Sequence, residues 1–112
     1  MAKFHFVEDG EGYVRQLMRD LPLDEAMSVA VGGDYDRIGA IECAILHHFG
    51  LRDGQSVVDF GCGSGRLAVH LARTGTVAYL GLDVVQDLLD YAKRRCPRDY
   101  RFARNTALSL PV

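Results

Sequence analysis

Residues Ser56 to Arg66 read SVVDFGCGSGR, and a carboxylate answers them further along at Asp83, the end of VAYLGLD. Ser56, Val57, Val58 and Phe60, with Asp59 among them, read as a short buried strand. The chain then breaks into glycines at 61, 63 and 65 and resumes a helical period at Leu67. A strand, a glycine turn and a helix make half of a βαβ unit, in which the first N–H groups of the helix face whatever sits there. The second strand ends on Asp83, roughly 20 residues after the glycines, where a ribose-binding acid belongs in a nucleotide fold. The spacing predicts a ligand that carries an adenosine.

Which adenosine cofactor follows from the glycines. A dinucleotide fingerprint, GxGxxG, would need glycine at 61, 63 and 66, and position 66 is Arg. No GxxxxGK[ST] occurs for a phosphate-binding loop. The pattern D-x-G-x-G-x-G from Asp59, followed by G-L-D at Asp83, resembles the class I S-adenosylmethionine-dependent methyltransferases. The resemblance runs from about Gly50 to the C-terminus and is specific, because glycines, both acids and their distance agree together. It implies a Rossmann-like α/β fold, S-adenosylmethionine as cofactor, and transfer of its methyl group.

Composition bounds the rest. At 112 residues the chain is one domain at most, and 48% apolar with 25% charged residues suits a soluble globular chain. A net charge of −2 gives no electrostatic reason to expect a nucleic-acid partner. Cys43, Cys62 and Cys96 lack CxxC spacing, which argues for a reducing cytoplasm and against a disulfide frame or a metal site. No apolar run is long enough for a signal peptide or a membrane span, so the reading is cytoplasmic.

In chain order, FHFV is left open between a short strand and a lid segment, and EDGEG reads as a turn. Val14, Leu17, Met18 and Leu21 predict an amphipathic helix closed by Pro22. Asp24 is the expected N-cap of a second helix, DEAMSVAV, stopped by Gly32 and Gly33. Asp36 is the expected cap of a third, with Ile38, Ile41, Ile45 and Phe49 as its packed face and Gly50 as its stop. These helices, residues 1–49, are expected to lie across the sheet and over the mouth of the cofactor site. Residues 50–112 form the first half of the cofactor-binding domain. Its next helix buries Leu67, Ala68, Leu71 and Ala72 and carries Arg66, His70 and Arg73 as a polar stripe. The following one packs Val85, Leu88, Leu89, Ala92 and Cys96 and stops at Pro97. Arg101 to Arg104 start a third strand that runs into NTALSLP.

Parallel strands joined by right-handed crossovers give the order 3-2-1. The resembled family has seven strands, the fourth beside the first, so this chain is expected to be part of a longer protein. The strand carrying Asp59 would then be an exposed edge, open to self-association.

The resemblance assigns the site residue by residue. Asp59 helps orient the amino group of the cofactor; from the residues alone it equally caps the next helix. Gly61, Cys62, Gly63 and Gly65 form the loop around the methionine end and ribose. The middle glycine is expected to leave room for ligand, and Cys62 has no chemistry of its own. Asp83 accepts from both ribose hydroxyls, the alternative being a helix cap. Val84 lines one adenine face, or is ordinary core. The family places an acid or Asn five residues before the LP proline; here that is Thr106, with Asn105 one earlier, and both are candidates for the adenine amino group. Tyr13 and Tyr35 are the N-terminal aromatics able to reach over the site. His47 and His48 are adjacent and so face different sides of a helix, which disfavours a metal pair. The basic residues from Lys93 to Arg104 read as a solvated helix end. No catalytic residue and no acceptor can be named. Two rivals remain: an NAD(P)-dependent oxidoreductase, and a non-catalytic S-adenosylmethionine-binding module.

Overall fold

The structure is a computed structural model that describes residues 6–106. The order of elements is α1 (Phe6–Asp20), α2 (Leu23–Val29), α3 (Tyr35–His48), β1 (Ser56–Phe60), α4 (Arg66–Thr74), β2 (Ala78–Asp83), α5 (Gln86–Arg95) and β3 (Arg101–Arg104). The strands are parallel in the order β1-β2-β3, with Asp59 opposite Gly81 and Asp83 opposite Arg104. This is the 3-2-1 sheet expected of a Rossmann-like fold. Right-handed crossovers put α4 and α5 on one face, where the two helices touch. Val57, Tyr79 and Phe102 point into that layer and join a core with Cys43, Ala68 and Leu71. On the other face Val58 and Phe60 are 44% and 53% exposed. β1 is therefore half exposed and not buried, and among the described residues it is also an edge strand, paired with β2 alone.

The three N-terminal helices depart from the sequence reading in detail. EDGEG lies within the first two turns of α1 and is not a turn between elements; residues 4 and 5 of FHFV and the LSLP of the tail lie outside the described residues. Asp24 does not cap α2, whose N-cap is Pro22; its carboxylate instead accepts the Tyr91 hydroxyl at 2.8 Å. Asp36 does not cap α3 either, since Asp34 stands there with a left-handed φ of 47°.

The packed face of α3 is the larger correction. Tyr35, Gly39 and Cys43 are buried, whereas Ile41, Ile45 and Phe49 are 48%, 50% and 81% exposed. Gly39 explains the rotation. A Cβ there would overlap the Arg66 carbonyl oxygen, so α3 crosses α4 backbone to backbone on its small-residue side. Helix α4 turns the same contact inward. Val69 is buried, and Arg66 and His70 are half-buried between helices, leaving Arg73 as the exposed member of the supposed polar stripe. Helix α5 packs as predicted and also buries Tyr91, which meets Tyr35 edge-on at 6.2 Å.

Candidate functional site

The glycine loop leaves the carboxyl end of β1 and is tied at once to β2. The Leu82 carbonyl accepts both the Gly61 N–H at 2.7 Å and the Cys62 N–H at 2.9 Å. Gly61, Gly63 and Gly65 all have left-handed φ, at 83°, 58° and 88°. That conformation is cheap for glycine alone. Their surroundings differ. A Cβ on Gly65 would meet Ala92 at 2.8 Å, and one on Gly63 would meet Val31 Cγ1 at 2.5 Å. A Cβ on Gly61 would meet nothing within 4 Å. Val31, in the link between α2 and α3, thus occupies the space beside the middle glycine, and the open Cβ direction is that of Gly61.

The loop is strapped to the N-terminal helices by buried hydrogen bonds. Ser64 Oγ donates to the Met27 carbonyl at 2.8 Å, and the Tyr35 hydroxyl donates to the Ser64 carbonyl at 2.7 Å. Tyr35 is thereby a buried post behind the loop and does not reach over the site. Tyr13 does, lining the cleft with half its surface exposed.

Asp83 holds the other side. One carboxylate oxygen accepts the Gly63 N–H at 2.9 Å and the other the Val85 N–H at 3.1 Å. It is not the cap of α5, which is Val85. Each oxygen keeps a second acceptor direction. Asp59 accepts the Tyr79 hydroxyl at 2.7 Å, and so is not a helix cap. Burial raises the Asp59 carboxyl above its ordinary range; the Tyr79 bond opposes this, and the charges of Glu42 and Asp83 add to it. Burial also raises the Cys62 thiol far out of nucleophilic range, and the sulfur packs over Gly81.

Two hollows meet at Gly61 and Asp83. The larger, about 440 Å³, is lined by Asp59, Gly61, Cys62, Gly63 and Asp83, with Tyr13, Val31, Glu42 and Arg66 from the helices. The smaller, about 260 Å³, is lined by Phe60, Gly61, Leu82, Asp83, Val84 and Asn105, with Phe6 from α1. Its walls are apolar and suit a flat ring. A third, shallower groove of about 810 Å³ between α2, α3 and α5 shares no residue with them. Gly65 and Thr106 line neither hollow; the first lies under Ala92 and the second is exposed. Glu42, Arg66 and Phe60 were not foreseen as lining residues. Only Arg66 gave a signal, as a large cation directly after the last glycine. His47 bridges the Thr74 hydroxyl at 3.0 Å and the Leu51 carbonyl at 3.2 Å, a helix-end role.

A parallel sheet with a glycine turn at its carboxyl edge, and an acid ending the next strand, defines a Rossmann-like ligand-binding fold. The methyltransferase domain family matches residues 57–112, and the chain belongs to it. The cofactor that goes with this membership is S-adenosylmethionine. Ribosomal protein L11 methyltransferase of Shewanella woodyi is 29% identical over 106 residues, which is 88% of this chain and 36% of that protein. The protein of the same name from Burkholderia vietnamiensis is 34% identical over 50 residues, 45% of this chain and 17% of that one. The chain thus spans well under half the length of these two curated relatives. Among solved structures, a TehB-like SAM-dependent methyltransferase from Corynebacterium glutamicum superposes with a TM-score of 0.52 at 26% identity, covering 88% of this chain and 45% of that one. A Methanococcus maripaludis protein described as an S-adenosyl-L-methionine-dependent methyltransferase shares the fold, with a TM-score of 0.55 at 16% identity over all of this chain and 48% of that one. The nicotinamide reading gains no support from these relatives. No helix among the described residues is long and apolar enough to cross a membrane.

Proposed function

We propose that this chain carries the cofactor-binding part of a methyltransferase and holds S-adenosylmethionine across the two hollows. The observation that carries the reading is Asp83, a carboxylate standing where a polar cleft and an apolar one meet. The ribose hydroxyls would donate to its free acceptor directions. Phe60, Leu82 and Val84 would enclose the adenine, and the backbone of Gly61 would lie against the ligand, as its open Cβ direction permits. Asn105 lies at the adenine end; Thr106, exposed and outside both hollows, is a weaker candidate. Asp59 would face the amino-acid end.

When bound, the cofactor supplies an electrophilic methyl group on a positively charged sulfur. This chain's contribution is to hold it still and partly dry. Alignment of two centres at about 3–3.5 Å accounts for much of the rate in such a displacement. No side chain here is assigned a proton-transfer role. The acceptor is unassigned; the ribosomal protein in the names of the curated relatives is one candidate, at distant similarity. Cys43, Cys62 and Cys96 are free thiols, which supports a reducing, cytoplasmic setting. The open side of β1, with Val58 and Phe60 exposed, supports self-association through that edge.

Titration calorimetry with S-adenosylmethionine, S-adenosylhomocysteine and NAD, side by side, tests the proposal. Binding of the first two and not the third is expected. Preference for NAD, or no binding of any, would overturn it. An assay for methyl transfer then separates an enzyme from a binding module.

A further inference from the structure

We propose that Glu42 and Arg66, paired at 3.2 Å in the larger hollow, form the receptor for the amino-acid end of the cofactor. Glu42, together with Asp59, receives the ammonium group, and Arg66 receives the carboxylate. The inference rests on the cofactor reading above and extends it to two residues that the glycine motif does not include.

The argument starts from what each hollow can hold. If the ribose sits at Asp83 and the ring lies in the apolar hollow, the rest of the ligand extends into the larger one. Its charged lining is Glu42, Asp59, Asp83 and Arg66, three carboxylates and one guanidinium. The ligand's amino-acid arm carries an ammonium, a carboxylate and a sulfonium, two positive charges and one negative. The signs are complementary. Hydrogen-bonding capacity agrees with this. Asp59 accepts Tyr79 on Oδ2, and Glu42 accepts Arg66 on Oε1. Among the described residues no partner occupies Asp59 Oδ1 or Glu42 Oε2. An ammonium with three donors needs such acceptors on more than one side.

Arg66 is fixed before any ligand arrives. Nη1 donates to the Val31 carbonyl at 2.8 Å and to the Gly33 carbonyl at 3.3 Å, while Nε donates to Glu42. These contacts hold the planar guanidinium and leave Nη2 without a partner among the described residues. A carboxylate arriving at Nη2 meets a donor whose orientation is already set, which reduces the entropy lost on binding. The Asp59 carboxyl is raised mainly by burial and further by the Glu42 charge, and a cation between the two carboxylates would relieve that second contribution.

The opposing account is that Glu42 and Arg66 merely pin α3 to the start of α4. The two accounts differ in ligand dependence. 5′-Methylthioadenosine has the adenine, ribose and sulfur but lacks the amino-acid end. Calorimetry on the 112-residue chain with S-adenosylmethionine, S-adenosylhomocysteine and 5′-methylthioadenosine is therefore the test. Glu42→Gln is expected to weaken the first two by about ten- to hundredfold, the value of one charge-assisted hydrogen bond. It should leave 5′-methylthioadenosine within about twofold. Arg66→Gln should show the same pattern; if it fails to fold, Glu42→Gln carries the test, since that side chain is 42% exposed. Equal loss on all three ligands, or no loss on any, would overturn the proposal. Asp83→Ala serves as the separate control on the cofactor reading. It must weaken all three ligands, and if it spares them that reading fails whatever Glu42 does.

Discussion

Asp83 and Gly63, 20 positions apart in the chain, are joined by a 2.9 Å hydrogen bond from the loop N–H to a carboxylate oxygen. With Val85 N–H on the other oxygen, the side chain locks the glycine turn to the end of β2. Structural and ligand roles therefore coincide on one residue, and substitutions there move both stability and affinity.

Asp83→Ala is expected to lower stability by about 1–3 kcal/mol, since two backbone donors lose their acceptor. It should also weaken S-adenosylmethionine and S-adenosylhomocysteine alike, by roughly 2–4 kcal/mol from two charge-assisted bonds partly offset by water. Asp83→Asn should fall between, because its NH₂ group would confront one of the same N–H donors. Melting curves beside calorimetry on the three proteins check this. An Asn variant indistinguishable from wild type in both would contradict it.

Gly63 is expected to fail through packing as well as through backbone strain. Gly63→Ala places a Cβ 2.5 Å from Val31 Cγ1 at a φ of 58°. Destabilisation of about 1–3 kcal/mol is expected from the overpacking. Val31→Ala in the same chain should recover part of it, so a double-mutant cycle by denaturant titration gives a coupling energy above about 0.5 kcal/mol. A coupling near zero would mean that the loop shifts away from Val31 freely.

Burial of the Asp59 carboxyl predicts a pH dependence. The folded state raises the Asp59 carboxyl above its unfolded value, so between the two values the native protein binds more protons than the unfolded chain. Its contribution is favourable at low pH and is lost as pH rises through the raised value. Asp59→Asn is thus expected to gain melting temperature relative to wild type at neutral pH, the difference shrinking as the medium is acidified through that window. Ligand affinity should run the opposite way. An ammonium group prefers the carboxylate, so S-adenosylhomocysteine should bind wild type more tightly as pH rises through the same window. A flat affinity profile in wild type would remove Asp59 from the site.

Helix α3 supplies the contrast between inner and outer faces. Ile41→Ala and Ile45→Ala are expected to change stability by no more than about 0.5 kcal/mol each, as exposed positions do. Gly39→Ala, in the same helix, should cost about 1–3 kcal/mol or more, although alanine is the better helix former, because the Cβ overlaps the Arg66 backbone. Chemical denaturation of the three variants decides. A large loss at Ile41 or Ile45 together with a silent Gly39 would mean that α3 packs on its isoleucine side.

What the sequence by itself determined was local: the strand, the glycine turn, the helix that follows it, the β3 segment and the acid ending β2. Each depends on a short-range cause, such as alternation, a left-handed φ that only glycine tolerates cheaply, or proline ending a helix. The parallel order followed too, because handedness leaves little choice. Tertiary structure decided which face of α3 turns inward. Hydrophobic periodicity pointed to Ile38, Ile41 and Ile45, but close approach of two backbones rewards the smallest side chains, so Gly39 and Cys43 took the contact. It also decided what each glycine is for, because whether a Cβ would meet Val31, Ala92 or open space depends on helices far away in the chain. The same holds for Glu42. Nothing in its neighbours marks it, and it lines the cleft only because α3 crosses α4 at Gly39 and carries the carboxylate to Arg66.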